Sequence, residues 1–241
     1  EAGAKMIQAS GAAIVCIQED KEDQVADLKG LLPDYAFVGR GRNATGSGEH
    51  CSILYLKKNL ALVESGTIWL SQTPDEAGSM MPGDDYPRIA TWAMLRTGGG
   101  RKILVLSTHF TDGDHEPMRK DQAGVLHGWL ARQLGLDRPG ERVPFTVVVA
   151  GDYNSAAADG EVHPVLTRGD RIGLRDAWDE AKPSGMPGTY NGWEGMTTKK
   201  RIDWILVGGP ARINEAGKFE EKVDGRYPSD HYPVWADLAI R

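Results

Sequence analysis

The run AAIVCIQ, residues 12–18, is unbroken in its apolar character yet too short for a helix standing alone. A short apolar run closed by polar residues is the pattern of a strand covered on both faces, and here Gln18, Glu19 and Asp20 close it. The stretches CSILYLKK, LALVESGTIWL, RIATWAMLRT, RKILVLSTHF, FTVVVAGDYNS, RIDWILV and VWADLAI share its strand-like length and β-branched content. Helical spacing separates some of them. It is present in EAGAKMIQASG as far as Gly11, in KEDQVADLKGLL as far as Pro33, and from Pro117 to Gly135. In the last of these Val125, Leu126, Trp129 and Leu130 form an apolar stripe, with His127 exposed or merely packed. TGGGRK has the composition of a hairpin turn. Strands and helices thus alternate without the strict βαβ rhythm of a doubly wound fold. The pattern predicts an α/β protein of two packed mixed β-sheets with helices outside.

Nothing in the 241 residues breaks this pattern into two units. The glycine and proline clusters TGGGRK and LDRPGERVP are short enough to be loops, and no repeat or low-complexity tract is present, so one domain over residues 1–241 is expected. Lys and Arg total 28 against 34 Asp and Glu, a net charge of −6. That balance argues against broad attraction to nucleic acid or anionic lipid, while leaving room for a local basic pocket. No apolar run approaches the length of a membrane span, and no signal peptide is visible. Cys16 and Cys51 lie in apolar runs and are expected to be buried free thiols, which leaves cytoplasmic and exported compartments equally open. A monomer is the expected state.

Polar residues interrupt the apolar strands at a few places, and nearly all of them are carboxylates, histidines or asparagine. Glu19 ends the first strand, His109 ends ILVLSTH, and Asp152 ends TVVVAGD with Asn154 two residues on. Residues at i and i+2 of extended chain face one side, so Asp152 and Asn154 can share a pocket. Asp203 sits amid Ile202, Trp204, Ile205 and Leu206, where a buried carboxylate needs a partner, and His231 is the natural one. Asp230 and His231, bracketed by Pro228 and Pro233, are neighbours that a regular strand would send to opposite faces. A turn entering the final strand aims both the same way. Taken singly, each residue has a bland reading: a solvated strand end, a packed histidine, a simple turn.

Taken together, in order, they resemble the endonuclease/exonuclease/phosphatase, or DNase I-like, superfamily of metal-dependent phosphoesterases. The resemblance rests on IQE at 17–19, GE at 48–49, PRIATW from Pro87, STH ending at His109, GDYNS, RIDWIL and PSDHYPV, and so covers almost the whole chain. TIWLSQTPDEAGS and PRIATWAML look most like a bacterial branch of unassigned substrate. The resemblance implies a four-layer αββα sandwich with the site at one edge of the two sheets. It also implies a divalent metal, Mg²⁺ or Mn²⁺, held by Glu19 and Asp230, with Asp152 and Asn154 contributing to the metal or to the attacking water. His231 oriented by Asp203, and His109 oriented by Glu49, would contact the phosphoryl oxygens or move a proton. Arg88 would bind a non-bridging oxygen, and Asp152 is the provisional general base. Superfamily members open with a strand bearing an asparagine, so that strand is expected to be missing at the N-terminus here, with a sheet edge left free beside Glu19.

The expected activity is hydrolysis of a phosphodiester or phosphomonoester by in-line attack of water. A Trp-Cys-Asp-Arg run marks the inositol phosphatases, where this chain has KKRIDWIL, and no exposed aromatic hairpin of the sphingomyelinase kind is apparent. Nucleic acid is possible as a substrate but is not supported by the net charge; GRGRNATG and TTKKR are the basic candidates, each with the plainer reading of a solvated loop. A non-catalytic binding protein on the same fold is the alternative, against which stands the retention of paired metal-ligand carboxylates and both histidines.

Overall fold

The computed structural model describes residues 1–136, 142–169, 172–195 and 199–241; the middle of LDRPGERVP and the threonines of TTKKR lie outside them. In chain order the elements are α1 (Ala2–Ser10), β1 (Ile14–Asp20), α2 (Glu22–Leu31), β2 (Tyr35–Val38), β3 (His50–Leu56), β4 (Leu60–Trp69), β5 (Ile89–Thr97) and β6 (Lys102–His109). There follow α3 (Glu116–Gln133), β7 (Thr146–Asp152), α4 (Val162–Leu166), β8 (Arg175–Asp176), α5 (Ala177–Ala181), β9 (Asp203–Gly208), β10 (Ala211–Lys218) and β11 (Val234–Ile240). Gly11 ends α1 in the left-handed conformation at φ 62°, a backbone region that glycine enters without a Cβ penalty.

Six strands form one mixed sheet in the order β4-β5-β6-β7-β9-β8. Within it β6 and β7 run parallel, a pairing that requires a crossover, and α3 supplies it. The facing layer consists of a three-stranded sheet, β1-β3-β2, and the pair β10-β11. Between the layers lie Ile53 and Tyr55 of β3, Ala93 and Leu95 of β5, and Ile103 and Val105 of β6, with Ile14, Cys16, Val148 and Ile240 packed against them. The other face of the large sheet buries Leu104, Leu106, Val147 and Val149 under Ala123, Leu126, Trp129 and Leu130 of α3. Ala4 and Ile7 of α1 cover Leu54 and Leu56 on the outer face of β3. The result is the expected αββα sandwich of two packed β layers with outer helices; the six-stranded sheet is mixed, while every pairing described in the facing layer is antiparallel.

Aromatic packing fixes the end of the large sheet that matters for function. Tyr153 and Trp204 stack with ring centroids 4.3 Å apart, and Phe110 meets Tyr153 edge-on at 5.2 Å. All three rings are shut away from solvent. Burying a side chain of this size removes enough apolar surface to contribute on the order of 2–3 kcal/mol each, and each of the three adjoins a strand-end polar residue, His109, Asp152 or Asp203.

Some expectations need revising. β1 is half-buried rather than covered on both faces, because it hydrogen-bonds to β3 alone and its other edge carries no strand among the described residues. YAFV and ARINEAGK, outside the strand-like stretches of the sequence, form β2 and β10. His127, expected to be exposed or merely packed, is packed: it is buried in α3 with Arg168 Nη2 at 2.6 Å from its Nδ1. Cys51 is buried as expected and Cys16 only partly; both are free thiols.

Candidate active site

Three strand ends of the large sheet place their polar residues in one lateral row. His109 on β6 is the register partner of Asp152 on β7, and Asp152 is in turn the partner of Asp203 on β9. Adjacent strands lie about 4.8 Å apart, so the ladder alone sets the spacing of an imidazole and two carboxylates. Gly151 lets β6 and β7 close up beside this row, since a Cβ there would strike the Thr108 carbonyl.

Glu19 approaches from the other layer through a break in regularity. The β1–β3 register shifts between Gln18 and Asp20, and Glu19 takes φ 64°, a left-handed value unusual for a long side chain. A bulge of this kind re-aims its side chain. Asp20 and Ser52 hold the bulge, with the Ser52 hydroxyl donating to Asp20 Oδ2 while His50 Nδ1 lies 3.0 Å from the Asp20 carbonyl. Glu19 Oε1 thereby comes within 3.6 Å of His109 Nε2, which is 3.7 Å from Asp152 Oδ2. Ligand atoms of Glu19, His109 and Asp152 lie within 4.8 Å of one another, as do those of Asp152, Asp203 and His231.

Asn154 also has a positive φ, 49°, and its backbone N–H donates to Asp152 Oδ1 at 2.8 Å. This short-range bond turns the chain so that the Asn154 amide reaches His109 Nε2 at 3.1 Å and the Phe110 carbonyl at 3.0 Å. The amide donates, so Nε2 accepts. Burial first, then the charges of Arg88 and Arg42, hold His109 well below the usual imidazole range, which keeps it neutral.

His231 behaves oppositely. Its Nδ1 is 2.9 Å from Asp203 Oδ2, and its Nε2 is 4.0 Å from Asp152 Oδ2. Burial lowers its pKa, but the hydrogen bond and charge of Asp203, reinforced by Asp152 and Asp230, outweigh burial and push it up to about 9. Thr189 steadies this corner: its hydroxyl accepts from the N–H groups of Ile202 and Asp203, and its carbonyl accepts from Tyr232. Asp230 lies in the turn just before His231, its carbonyl accepting from the N–H groups of Asn191 and Gly192.

Arg88 is buried. Its Nη1 lies 3.4 Å from each ring nitrogen of His109, and its Nη2 donates to the exposed Asp112 at 2.8 Å. Arg88 Nε has no hydrogen-bond partner among the described residues. Glu49 does not orient His109 as expected: its carboxylate pairs with Arg42 Nη1 at 2.7 Å. It still belongs to the cleft, because its charge helps raise the pKa of Glu19. Arg42 is the residue that sequence reasoning missed. The GRGRNATG loop is not simply solvated at this point; Arg42 is mostly buried against Glu49, lies 4.6 Å from the Tyr86 ring centroid and acts electrostatically on His109. The sole sequence signal was an arginine six residues before a glycine-glutamate pair, which is too common a pattern to single it out.

The donor set fits a divalent cation. Burial, then Glu49 and Asp230, raise the pKa of Glu19; burial, then Asp203, push Asp152 up to about 8. Burial and the neighbouring carboxylates raise Glu19 and Asp152 by more than the nearby His231 and Arg88 lower them, and oxygen-rich sites of this type suit Mg²⁺ or Mn²⁺. A second trio, His163, Asp176 and Asp179, also has ligand spacing. There Arg201 already pairs with both carboxylates at 2.8 and 3.0 Å, so that trio is a satisfied structural cluster.

These shifts have a consequence for the metal-free protein. His231 has a folded pKa above its ordinary 6.5, so its contribution to stability is complete below pH 6.5 and is lost as pH rises through about 9. Asp152, raised from 3.8 to about 8, also favours the folded state in its protonated form; that contribution is lost progressively as pH rises from 3.8 through about 8, and the upper part of the loss overlaps that of His231. Both signs agree. Melting in EDTA should therefore show a Tm about 4–8 °C lower at pH 9 than at pH 6, corresponding to on the order of 2 kcal/mol. His231→Asn should flatten the curve, and an unchanged slope in that variant would refute the assignment.

The fold and this arrangement of carboxylates and histidines define a phosphoesterase-type cleft, and the chain belongs to the Endonuclease/Exonuclease/phosphatase family, whose model matches residues 4–231. Among solved structures, a mannosyl-6-phosphatase from Bacteroides thetaiotaomicron is similar at 26% identity and TM-score 0.86, over 98% of this chain and 88% of that one. A functionally unknown conserved protein from Enterococcus faecalis is similar at 26% identity and TM-score 0.87, over 100% of this chain and 90% of that one. The catalytic domain of human Nocturnin, solved with a bound sulfate anion, shares the fold at 19% identity and TM-score 0.76, over 98% of this chain and 84% of that one. No curated protein sequence matches the chain.

Proposed function

We propose that the chain is a divalent-metal-dependent phosphoesterase that hydrolyses its substrate by in-line attack of water. The observation that carries this reading is the convergence on one cleft of Glu19 from one layer and of His109, Asp152 and Asp203 in one row of the other, where burial and mutual repulsion raise Glu19 and Asp152. Glu19 and Asp230 would hold the cation, with Asp152 and Asn154 adjacent; when bound, it supplies Lewis-acid stabilisation of the charge on the phosphoryl group.

The remaining roles belong to the side chains. His231, held protonated at neutral pH by Asp203, donates from Nε2 to a phosphoryl oxygen. Neutral His109, buttressed by Arg88 and Asn154, lines the opposite side of the same oxygens. Arg88, buried beside His109 and bonded to the exposed Asp112, would bind a non-bridging oxygen through its Nη groups. Asp152 accepts the proton of the attacking water; its carboxyl, pushed up to about 8 in the metal-free protein, would be shifted toward the ionised form by a cation held at Glu19 and Asp230. No covalent intermediate on the protein is required.

The family includes both diesterases and monoesterases. The Bacteroides relative at 26% identity is named a mannosyl-6-phosphatase, which favours a phosphomonoester here. Turnover of p-nitrophenyl phosphate and bis-p-nitrophenyl phosphate, each with Mg²⁺ or Mn²⁺ and again after EDTA, tests the reading. The monoester should be the better substrate, with activity falling at least a hundredfold in EDTA and returning on readdition of metal. Protein inert to both esters would favour a non-catalytic binding role.

A further inference from the structure

Exposed apolar side chains gather on one loop of the cleft. Met186, Tyr190 and Trp193 are among the large apolar side chains left exposed, and Trp193, at 60%, is the most exposed of them. Neither aromatic is a stray surface residue. Tyr190 forms a β-bridge with His231, and its ring meets the His231 ring edge-on at a centroid distance of 5.3 Å while remaining 38% exposed. The free part of that ring therefore borders the catalytic imidazole.

Trp193 sits on a turn locked to the same corner. Asn191, fully buried, receives a bond from the Trp193 N–H at Oδ1, donates through its own N–H to the Asp230 carbonyl at 2.7 Å, and donates through Nδ2 to the Ser229 carbonyl. Gly192 donates to the Asp230 carbonyl as well. The turn holds Trp193 at φ 66°, a conformation a bulky side chain seldom adopts. A large indole is thus held out in solvent, at a cost in backbone strain, by a turn bonded directly to the residue before the catalytic histidine. Folding alone gives no reason for this, since the indole buries little; a ligand ring does.

We propose that Tyr190 and Trp193 form a ring-binding subsite for the alcohol portion of the ester, so that the substrate is the phosphate ester of a ring-bearing alcohol, in the first place a sugar phosphate. This deepens the phosphoesterase reading and rests on it. Tyrosine and tryptophan faces accept the C–H face of an uncharged sugar ring while their polar edges stay wet. A nucleic-acid strand would bring further phosphates past the ring. The chain's net charge of −6, and Glu194 next to Trp193 in the same turn, oppose such a polyanion.

The test compares kcat/KM for a hexose 6-phosphate, for glycerol phosphate as an acyclic monoester, and for a short single-stranded oligonucleotide, with Mg²⁺ present. Trp193→Ala is the main variant because its side chain is exposed and its loss leaves the fold intact; Tyr190→Ala and the conservative Trp193→Phe accompany it. Losing a stacked ring should cost the hexose phosphate about tenfold more than it costs glycerol phosphate, mainly in KM, with Trp193→Phe recovering most of the loss. Equal losses on both monoesters would overturn the subsite and leave the phosphoesterase reading standing. Losses confined to the oligonucleotide would overturn the sugar assignment in favour of nucleic acid. Wild-type protein inert to all three esters would overturn the parent reading, and the subsite with it.

Discussion

Replacing His231 with alanine is expected to lower kcat about a thousandfold, the middle of the range for losing a positioned acid that also stabilises developing charge. The imidazole is held 2.9 Å from Asp203, is charged at neutral pH and is the cationic group nearest Asp152 on that side of the cleft. Asp203→Asn should cost less, because an asparagine still holds the ring but no longer favours its charged form. The two losses should not add. Once His231 is gone, Asp203 has nothing left to orient, so the double variant should be little worse than His231→Ala alone. A double-mutant cycle on kcat/KM measures this, and fully additive losses would show that the two residues act separately.

Glu19→Gln should have an effect of similar size by a different route. Glu19 reaches the cleft from the β1 bulge, and burial together with Glu49 and Asp230 raises its pKa, so the neutral amide is tolerated better by the metal-free protein than the carboxylate. The variant should therefore melt at the same temperature as wild type in EDTA, or slightly higher. In millimolar Mg²⁺ the order should reverse, because only wild type gains the RT ln(1 + [L]/Kd) of a bound ion. Activity should fall about a thousandfold and the Mg²⁺ concentration for half-maximal rate should rise. An unaltered metal dependence would remove Glu19 from the metal site.

Much of this arrangement was legible in the sequence, for a physical reason. A carboxylate or histidine at the end of an apolar strand is conspicuous because burial makes such residues costly, and Glu19, His109, Asp152, Asp203 and His231 all stand out in that way. The structure brings them together along with Arg88 and Asn154, and the charge of Asp230 acts on Glu19 and His231. What escaped were features decided by contacts distant in sequence. β10 loses its period-two alternation at Asn214 and Glu215 in ARINEAGK, where the pairing with β11 shifts register, so the strand is set by the edge that β11 offers. β2 is only four residues long. Glu49 was assigned to His109, and it meets Arg42 instead because the loop before β3 folds back on itself, the Arg42 N–H donating to the Glu49 carbonyl. Nor does anything in IQED announce a left-handed Glu19; the bulge exists only in pairing with β3.

The row of His109, Asp152 and Asp203 also bears on how a protein of this kind can change. Its spacing is inherited from backbone ladders inside a packed sheet, whereas the segments that frame the opening, Arg42 and Tyr86 on one side and Tyr190 to Gly195 on the other, are loops. Insertions in those loops leave the ladder untouched, while a one-residue slip in β7 would scatter the row. Chemistry and selectivity are therefore separable by design: exchanging only the exposed positions Met186, Trp193 and Glu194 between relatives, with Thr189 and Asn191 kept to hold the His231 corner, should transfer preference for the alcohol while turnover of a minimal ester stays with the scaffold.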